Sequence, residues 1–315
     1  MCTKYIISCT DLPDLILANG IIKVRLSLQK MFEIAKRPLI LDGAMGSMLT
    51  LNEENYDKWL WSSLINLTDP ELVKSAHKQY IAAGADIITT NTFRTNPVAL
   101  ERSSYDISLD SFVKKSVEIA IEARANKNII VAGSNAPAED CYQIERTLSK
   151  IKLDYNHKKH IELLWELGSD FVLNETQSHW DEIEIISKFC GDNNIPFVMS
   201  FFFDHDLNLL SGEHLLEAIK FVLEYKPIAV SFNCIDISPF RKVMDKLDAN
   251  VNWGFYLNCG AGTYTNKQIT CGTNPKEYLK EVKKWINYSP LFVGSCCGSS
   301  PDHTRLLKEY FDEIY

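Results

Sequence analysis

Eight short apolar runs, spaced along the chain and separated mostly by longer amphipathic stretches, constrain the fold most. They are Leu39–Asp42, Asp86–Thr90, Ile129–Ala132, Phe171–Asn174, Phe197–Phe203, Ile228–Phe232, Trp253–Leu257 and Leu291–Val293. Short β-branched runs alternating with helical patterns are the signature of βα units and a parallel sheet. Eight such units need about 250 residues when closed into a barrel, and the 315-residue chain accommodates them. The expected fold is therefore α/β, a single (β/α)8 TIM barrel. The intervening segments carry helix punctuation. In PELVKSAHKQYIAAG, Asp69 suits an N-cap, Pro70 the first helical position and Gly84 the stop. A second helix is expected over His157–Gly168, where apolar residues recur at helical spacing. Residues 1–37 stand outside this pattern as an N-terminal extension. Its segment LSLQKMFEIAKR is a helix candidate that would close the bottom of the barrel formed by residues 38–315.

Composition removes several functions. A net charge of -8 disfavours nucleic acid or an anionic membrane as partner. No apolar run reaches the length of a bilayer span. The punctuated N-terminus lacks a signal-peptide core, so a cytoplasmic location is expected. Nine cysteines are an odd number, and in a reducing compartment clustered ones point to metal binding or catalysis. Cys2, Cys9, Cys141, Cys190 and Cys271 sit apart and read as small buried hydrophobes.

Chemistry in such a barrel collects at the C-terminal ends of the strands. There the chain places Asp42-Gly43 after strand 1, Thr90-Asn91 after strand 2 and Asn174-Glu175 after strand 4. Asn233-Cys234 follows strand 6, Asn258-Cys259 strand 7 and Cys296-Cys297 strand 8. Gly294 and Gly298 flank the cysteine pair and relax its backbone, so both thiolates can turn to one ion. A third thiolate completes a soft donor set suited to zinc, with the fourth tetrahedral position open to an incoming thiol. Spacing alone leaves Cys234 and Cys259 as rivals for the third place. Before any resemblance is used, a redox pair or a phosphate-binding loop also fits GSCCGSS, and Asp42 and Glu175 fit a turn cap and a rim ion pair.

The elements DGAMGSML, AGADIITTNTF, FVLNET, SFNC and FVGSCCGSSPDH occur in that order. Together they resemble the homocysteine S-methyltransferase family over about residues 38–312. This family includes betaine– and S-methylmethionine–homocysteine methyltransferases and the homocysteine domain of cobalamin-dependent methionine synthase. The resemblance implies zinc ligation by Cys234, Cys296 and Cys297. It also implies that Asp42 and Glu175 bind the substrate ammonium, with Asn91 lining the pocket. The segment DKWLWSSLIN looks most like the S-methylmethionine-type members, so Trp59 and Trp61 become candidates for an aromatic face toward a cationic donor. The implied reaction moves a methyl group from S-methylmethionine or S-adenosylmethionine to homocysteine, giving methionine.

Departures fall in AGSNAPAED after strand 3 and LNCGAG after strand 7, loops that shape the donor side. They keep betaine, methylfolate and a methyl-corrinoid partner open as donors. A decayed homologue that only binds zinc through its thiolates is a further reading, and a zinc hydrolase lacks its His-x-His after strand 1. The expected partners are homocysteine and a small-molecule methyl donor, with self-association left open.

Overall fold

The computed structural model describes residues 15–18, 21–49, 57–261 and 270–315. Its centre is an eight-stranded parallel sheet. The strands are β1 (Leu39–Ile40), β2 (Ile87–Thr89), β3 (Ile130–Asn135) and β4 (Phe171–Gln177), then β5 (Phe197–Phe201), β6 (Ala229–Asn233), β7 (Trp253–Leu257) and β8 (Phe292–Ser295). From β2 to β8 each strand pairs with the next in sequence, and β8 pairs with β1. The Leu41–Ile87 bridge, with Asp86 N–H donating to the Ile40 carbonyl at 2.8 Å, closes the sheet between β1 and β2. The expected TIM barrel is therefore what forms. Helices cover its outside, so the strands are buried on both faces and read as continuous apolar runs.

The strand ends differ from the sequence reading where they carry polar residues. β4 runs on through Glu175, Thr176 and Gln177, a stretch whose polarity suggests a loop. Its pairing with β5 shifts from Asn174–Met199 to Gln177–Phe201, so one extra residue bulges out between them.

Helix boundaries follow the capping chemistry. Asp69 accepts from Leu72 N–H, Pro70 opens the helix Pro70–Ala83, and Gly84 ends it in the left-handed region at φ 106°. The helix expected over His157–Gly168 instead spans Lys150–Glu166, starting two turns earlier from the Ser149 cap. Its first turns present Ile151 and Tyr155 to solvent, 83% and 60% exposed, which blurs the apolar periodicity.

The N-terminal end of the barrel is filled by Leu39, Ile87, Ile130, Phe171 and Phe292. Helix Leu28–Ala35, capped by Ser27, buries Leu28 in the same cluster and so covers that end. Two carboxylates fasten it. Asp86 takes a two-pronged bond from Arg37 at 2.7 and 3.0 Å and a third from Ile40 N–H. Asp170 accepts from Leu26 N–H, Val131 N–H and Arg124 at 2.7–2.8 Å. Two small antiparallel pairs, Leu15–Ala18 with Ile21–Val24 and Gly260–Ala261 with Thr270–Cys271, stand apart from the barrel sheet. Among the described residues no helix is long and apolar enough to cross a membrane.

Candidate functional site

A cavity of about 230 Å³ opens at the C-terminal ends of the strands and holds the cysteines and both carboxylates. The Sγ atoms of Cys234, Cys296 and Cys297 all lie within 4.8 Å of one another, and among the described residues this is the one converging group of three. Cys297 Sγ is 3.9 Å from Cys234 Sγ and 4.0 Å from Cys296 Sγ. Cys234 and Cys296 lie within bonding distance as a disulfide. Tetrahedral zinc, with Zn–S near 2.3 Å, sets sulfur–sulfur spacings of ~3.8 Å. The two Cys297 spacings fit that value, and Cys234 and Cys296 join the set as reduced thiolates. Three soft donors at the mouth of a cavity fit a zinc site with one open position. Burial pushes the Cys297 thiol up to about 11, a penalty that a dication beside it would reverse.

Local backbone brings the sulfurs together. Cys234 follows β6 in the left-handed region, φ 53°, which turns its side chain off the strand's alternation. Cys296 N–H donates to the Leu257 carbonyl, and the Cys297 carbonyl accepts from Cys259 N–H, fixing the pair against the end of β7. Gly298 has φ 77°, matching its expected freedom. Gly294 serves differently. It lies in β8, and a Cβ there would sit 2.8 Å from Leu41 Cβ and 3.2 Å from the Leu41 carbonyl, so what it supplies is room against β1. Gly294→Ala should accordingly cost about 1–3 kcal/mol through overpacking and lower the melting temperature; an unchanged melting curve would show that β1 yields freely. Cys259 is buried, its sulfur directed at the Leu257 carbonyl at 3.8 Å, and it stands outside the converging group.

Asp42 and Glu175 face the same cavity. Asp42 is 2% exposed and accepts from Thr89 N–H at 2.9 Å and Thr89 Oγ1 at 3.0 Å. Burial pushes its carboxyl well above the usual range despite those bonds, and Glu175 adds to the rise. Glu175, on the β4 bulge, accepts from Ser134 Oγ and from Tyr256 Oη at 3.3 Å. Burial lifts it to about 6, against the pull of both hydroxyls. Neither carboxylate has an ion-pair partner among the described residues. Asp42, buried, and Glu175, half-buried, thus lie unneutralised in one cavity, an arrangement suited to a cation.

The remaining candidates divide. Asn91 lines the cavity, yet its amide is engaged by the protein, donating to the Ser62 carbonyl at 2.9 Å and to Asn66 Oδ1 at 3.1 Å. It braces the loop after β1. Trp61 also lines the cavity, stacked on Phe93 at 5.6 Å with the Arg94 guanidinium 4.3 Å above its ring. Trp59 is not among the lining residues; its ring packs near Lys58 Nζ and the Arg102 guanidinium, at 4.7 and 5.3 Å. An aromatic face toward the cavity therefore comes from Trp61 and Phe93. Cys190 and Cys141 are buried as expected, Cys141 at the cavity wall beside Tyr142, whereas Cys271 is exposed. Cys2 and Cys9 lie outside the described residues. Sequence reasoning missed Thr89, Ser134, Tyr256 and Phe93. The first three are polar residues in the closing positions of strands β2, β3 and β7, a signal that pointed there.

The loop after β3 forms one wall and is tied down by buried charge. Glu139 accepts from Thr147 N–H at 2.9 Å and from Arg102 at 2.9 Å. Arg146 reaches Glu182 at 2.7 Å and Asp181 at 3.0 Å.

Comparison with known proteins agrees with this architecture. The family model described as homocysteine S-methyltransferase matches residues 39–311. Homocysteine S-methyltransferase 2 of Arabidopsis thaliana is 24% identical, covering 85% of this chain and 91% of its own. A selenocysteine Se-methyltransferase of Brassica oleracea var. italica is 25% identical, covering 85% of this chain and 87% of its own. The metallated homocysteine methyltransferase MmuM of Escherichia coli superposes with a TM-score of 0.76 at 23% identity, over 90% of this chain and 100% of that one. The same enzyme in its oxidized form also gives 0.76, at 22% identity, over 90% of this chain and 100% of that one. With the family model spanning nearly the whole barrel, the chain belongs to the homocysteine S-methyltransferase family of enzymes.

Proposed function

We propose that this chain transfers a methyl group from a sulfonium donor, S-methylmethionine or S-adenosylmethionine, to the thiol of homocysteine, giving methionine. One observation carries the reading: three sulfurs and two unneutralised carboxylates converge in a single cavity. Cys234, Cys296 and Cys297 would hold zinc, which when bound lowers the pKa of a thiol in its open position and so supplies a thiolate at neutral pH.

The chain's own side chains do the rest by placement. Asp42 and Glu175 hold the substrate ammonium, which fixes the direction in which its thiol extends. Thr89 orients Asp42, and Ser134 and Tyr256 orient Glu175. The Trp61–Phe93 wall supports a donor whose cation packs on aromatic rings. The homocysteine sulfur attacks the donor methyl in line. A new sulfur–carbon bond forms as the donor's breaks, and the donor leaves as a neutral thioether that needs no protonation; the thiol proton would already have gone to solvent in the open zinc position, so no separate protein base is required. Reduced thiols of this kind suit a cytoplasmic setting. A selenol acceptor is a second reading, supported by the selenocysteine Se-methyltransferase among the relatives.

Reduced, zinc-loaded protein offered homocysteine with S-methylmethionine, S-adenosylmethionine, betaine or methylfolate tests the proposal. Methionine should form with a sulfonium donor. Turnover with betaine or methylfolate alone would reassign the donor, and no product with any of them would favour a zinc-thiolate binding role.

A further inference from the structure

Two backbone irregularities aim the site's groups. Thr176, next to Glu175, has φ 57°, and Cys234 has φ 53°. The left-handed region is disfavoured for both, most strongly for the β-branched threonine. Such positions persist where the surroundings over-determine them. At Thr176 the irregularity coincides with the extra residue of the β4 bulge, the device that directs Glu175 into the cavity.

One side chain reaches both places. Asn233, the last residue of β6 and fully buried, directly precedes Cys234. Its Oδ1 accepts from Thr176 N–H at 2.8 Å, and its Nδ2 donates to Thr176 Oγ1 at 2.9 Å. Ser200 Oγ donates to the same Oδ1 at 2.7 Å, fixing which end of the amide faces the bulge. The amide thus holds the bulged residue by backbone and side chain at once, while its own main chain turns into Cys234.

The geometry points to Asn233 as a positioning residue that couples the ammonium-binding carboxylate Glu175 to the metal-ligating thiolate Cys234. This rests on the proposed zinc and homocysteine roles. It touches neither substrate nor metal. Removing it frees the bulge and the β6 turn together, so both ends of the site loosen from one change. Outer-shell partners of metal ligands typically contribute 10- to 100-fold to affinity.

The test uses the full-length, reduced protein. Zinc affinity is measured by competition with a chromogenic chelator, alongside KM for homocysteine, KM for the donor and the melting temperature. For Asn233→Ala, the zinc Kd and the homocysteine KM should both rise about 10- to 100-fold, with the donor KM within about threefold of wild type. A lower melting temperature with both constants unchanged would reduce Asn233 to a structural role and overturn the inference. If Asn233→Ala does not fold, Asn233→Asp and Thr176→Ala, which each remove one half of the Nδ2–Oγ1 bond, should raise both constants; a rise in neither overturns it as well. Wild-type protein that binds no zinc refutes the zinc reading itself, whereas zinc-binding wild type beside an unaffected variant refutes only the positioning role.

Discussion

Cys297→Ala should lose zinc and methyl transfer together while the barrel stays folded. Cys297 is the sulfur whose distances to Cys234 and Cys296 already match tetrahedral spacing, 3.9 and 4.0 Å. Deleting it leaves two protein ligands where an open zinc site needs three. Changes in the outer shell of a metal site cost 10- to 100-fold in affinity, so loss of a direct ligand should exceed about 100-fold. The fold should tolerate it, because Cys297 is a half-buried residue at the cavity edge and only packs against the large core cluster. Metal content after desalting and a far-UV spectrum check both halves. Bound zinc near one per chain with retained turnover in the variant would remove Cys297 from the ligand set.

Glu175→Gln should act at the other end. A hydrogen bond to a charged group contributes about 1.5–3 kcal/mol, so homocysteine KM should rise roughly 10- to 150-fold with the zinc still bound. The pH dependence separates charge from shape. In the wild type, burial raises the Glu175 carboxyl to about 6. Below that value it protonates and the substrate ammonium loses one of its two counter-charges, so homocysteine binding should weaken as pH falls through about 6. The glutamine variant should lack this inflection.

The same shift has a stability consequence of opposite sign. A carboxyl whose folded pKa lies above its unfolded one binds more protons when folded. Its favourable contribution is then lost as pH rises from about 4.5 to about 6. At pH 7 the buried charge opposes folding, and Glu175→Gln should stabilise the protein by about 1–2 kcal/mol. A variant that binds homocysteine poorly yet melts higher would mark Glu175 as held for function. A lower melting temperature with unchanged KM would mark it as structural.

The fold was legible because a closed parallel barrel buries its strands on both faces, which writes each as an apolar run. All eight runs became strands of the barrel sheet. Polar strand ends hid what came next. Glu175 and Thr176 look like a loop by composition, yet they belong to β4, because Asn233 satisfies the Thr176 backbone from β6, two strands along the sheet. The helix at Lys150–Glu166 was misplaced at its start because Ile151 faces solvent. Within the site, the Cys296-Cys297 pair is visible as a local motif. The choice of Cys234 over Cys259 needed family resemblance, and the geometry supports it through a left-handed turn at Cys234 that no spacing rule encodes. Trp59 and Trp61 read alike at two-residue spacing, but a backbone turn at Trp61, φ 49°, takes only the second to the cavity. Gly294 was assigned flexibility where the packing of β8 on Leu41 requires absence of a side chain.

The most direct measurement is a zinc titration of reduced, metal-stripped protein, followed by methionine formation from homocysteine and S-methylmethionine. Activity should be absent without metal, rise linearly with added zinc and level off at one ion per chain. Full turnover in the stripped protein, or a plateau reached without any zinc bound at the three cysteines, would contradict it.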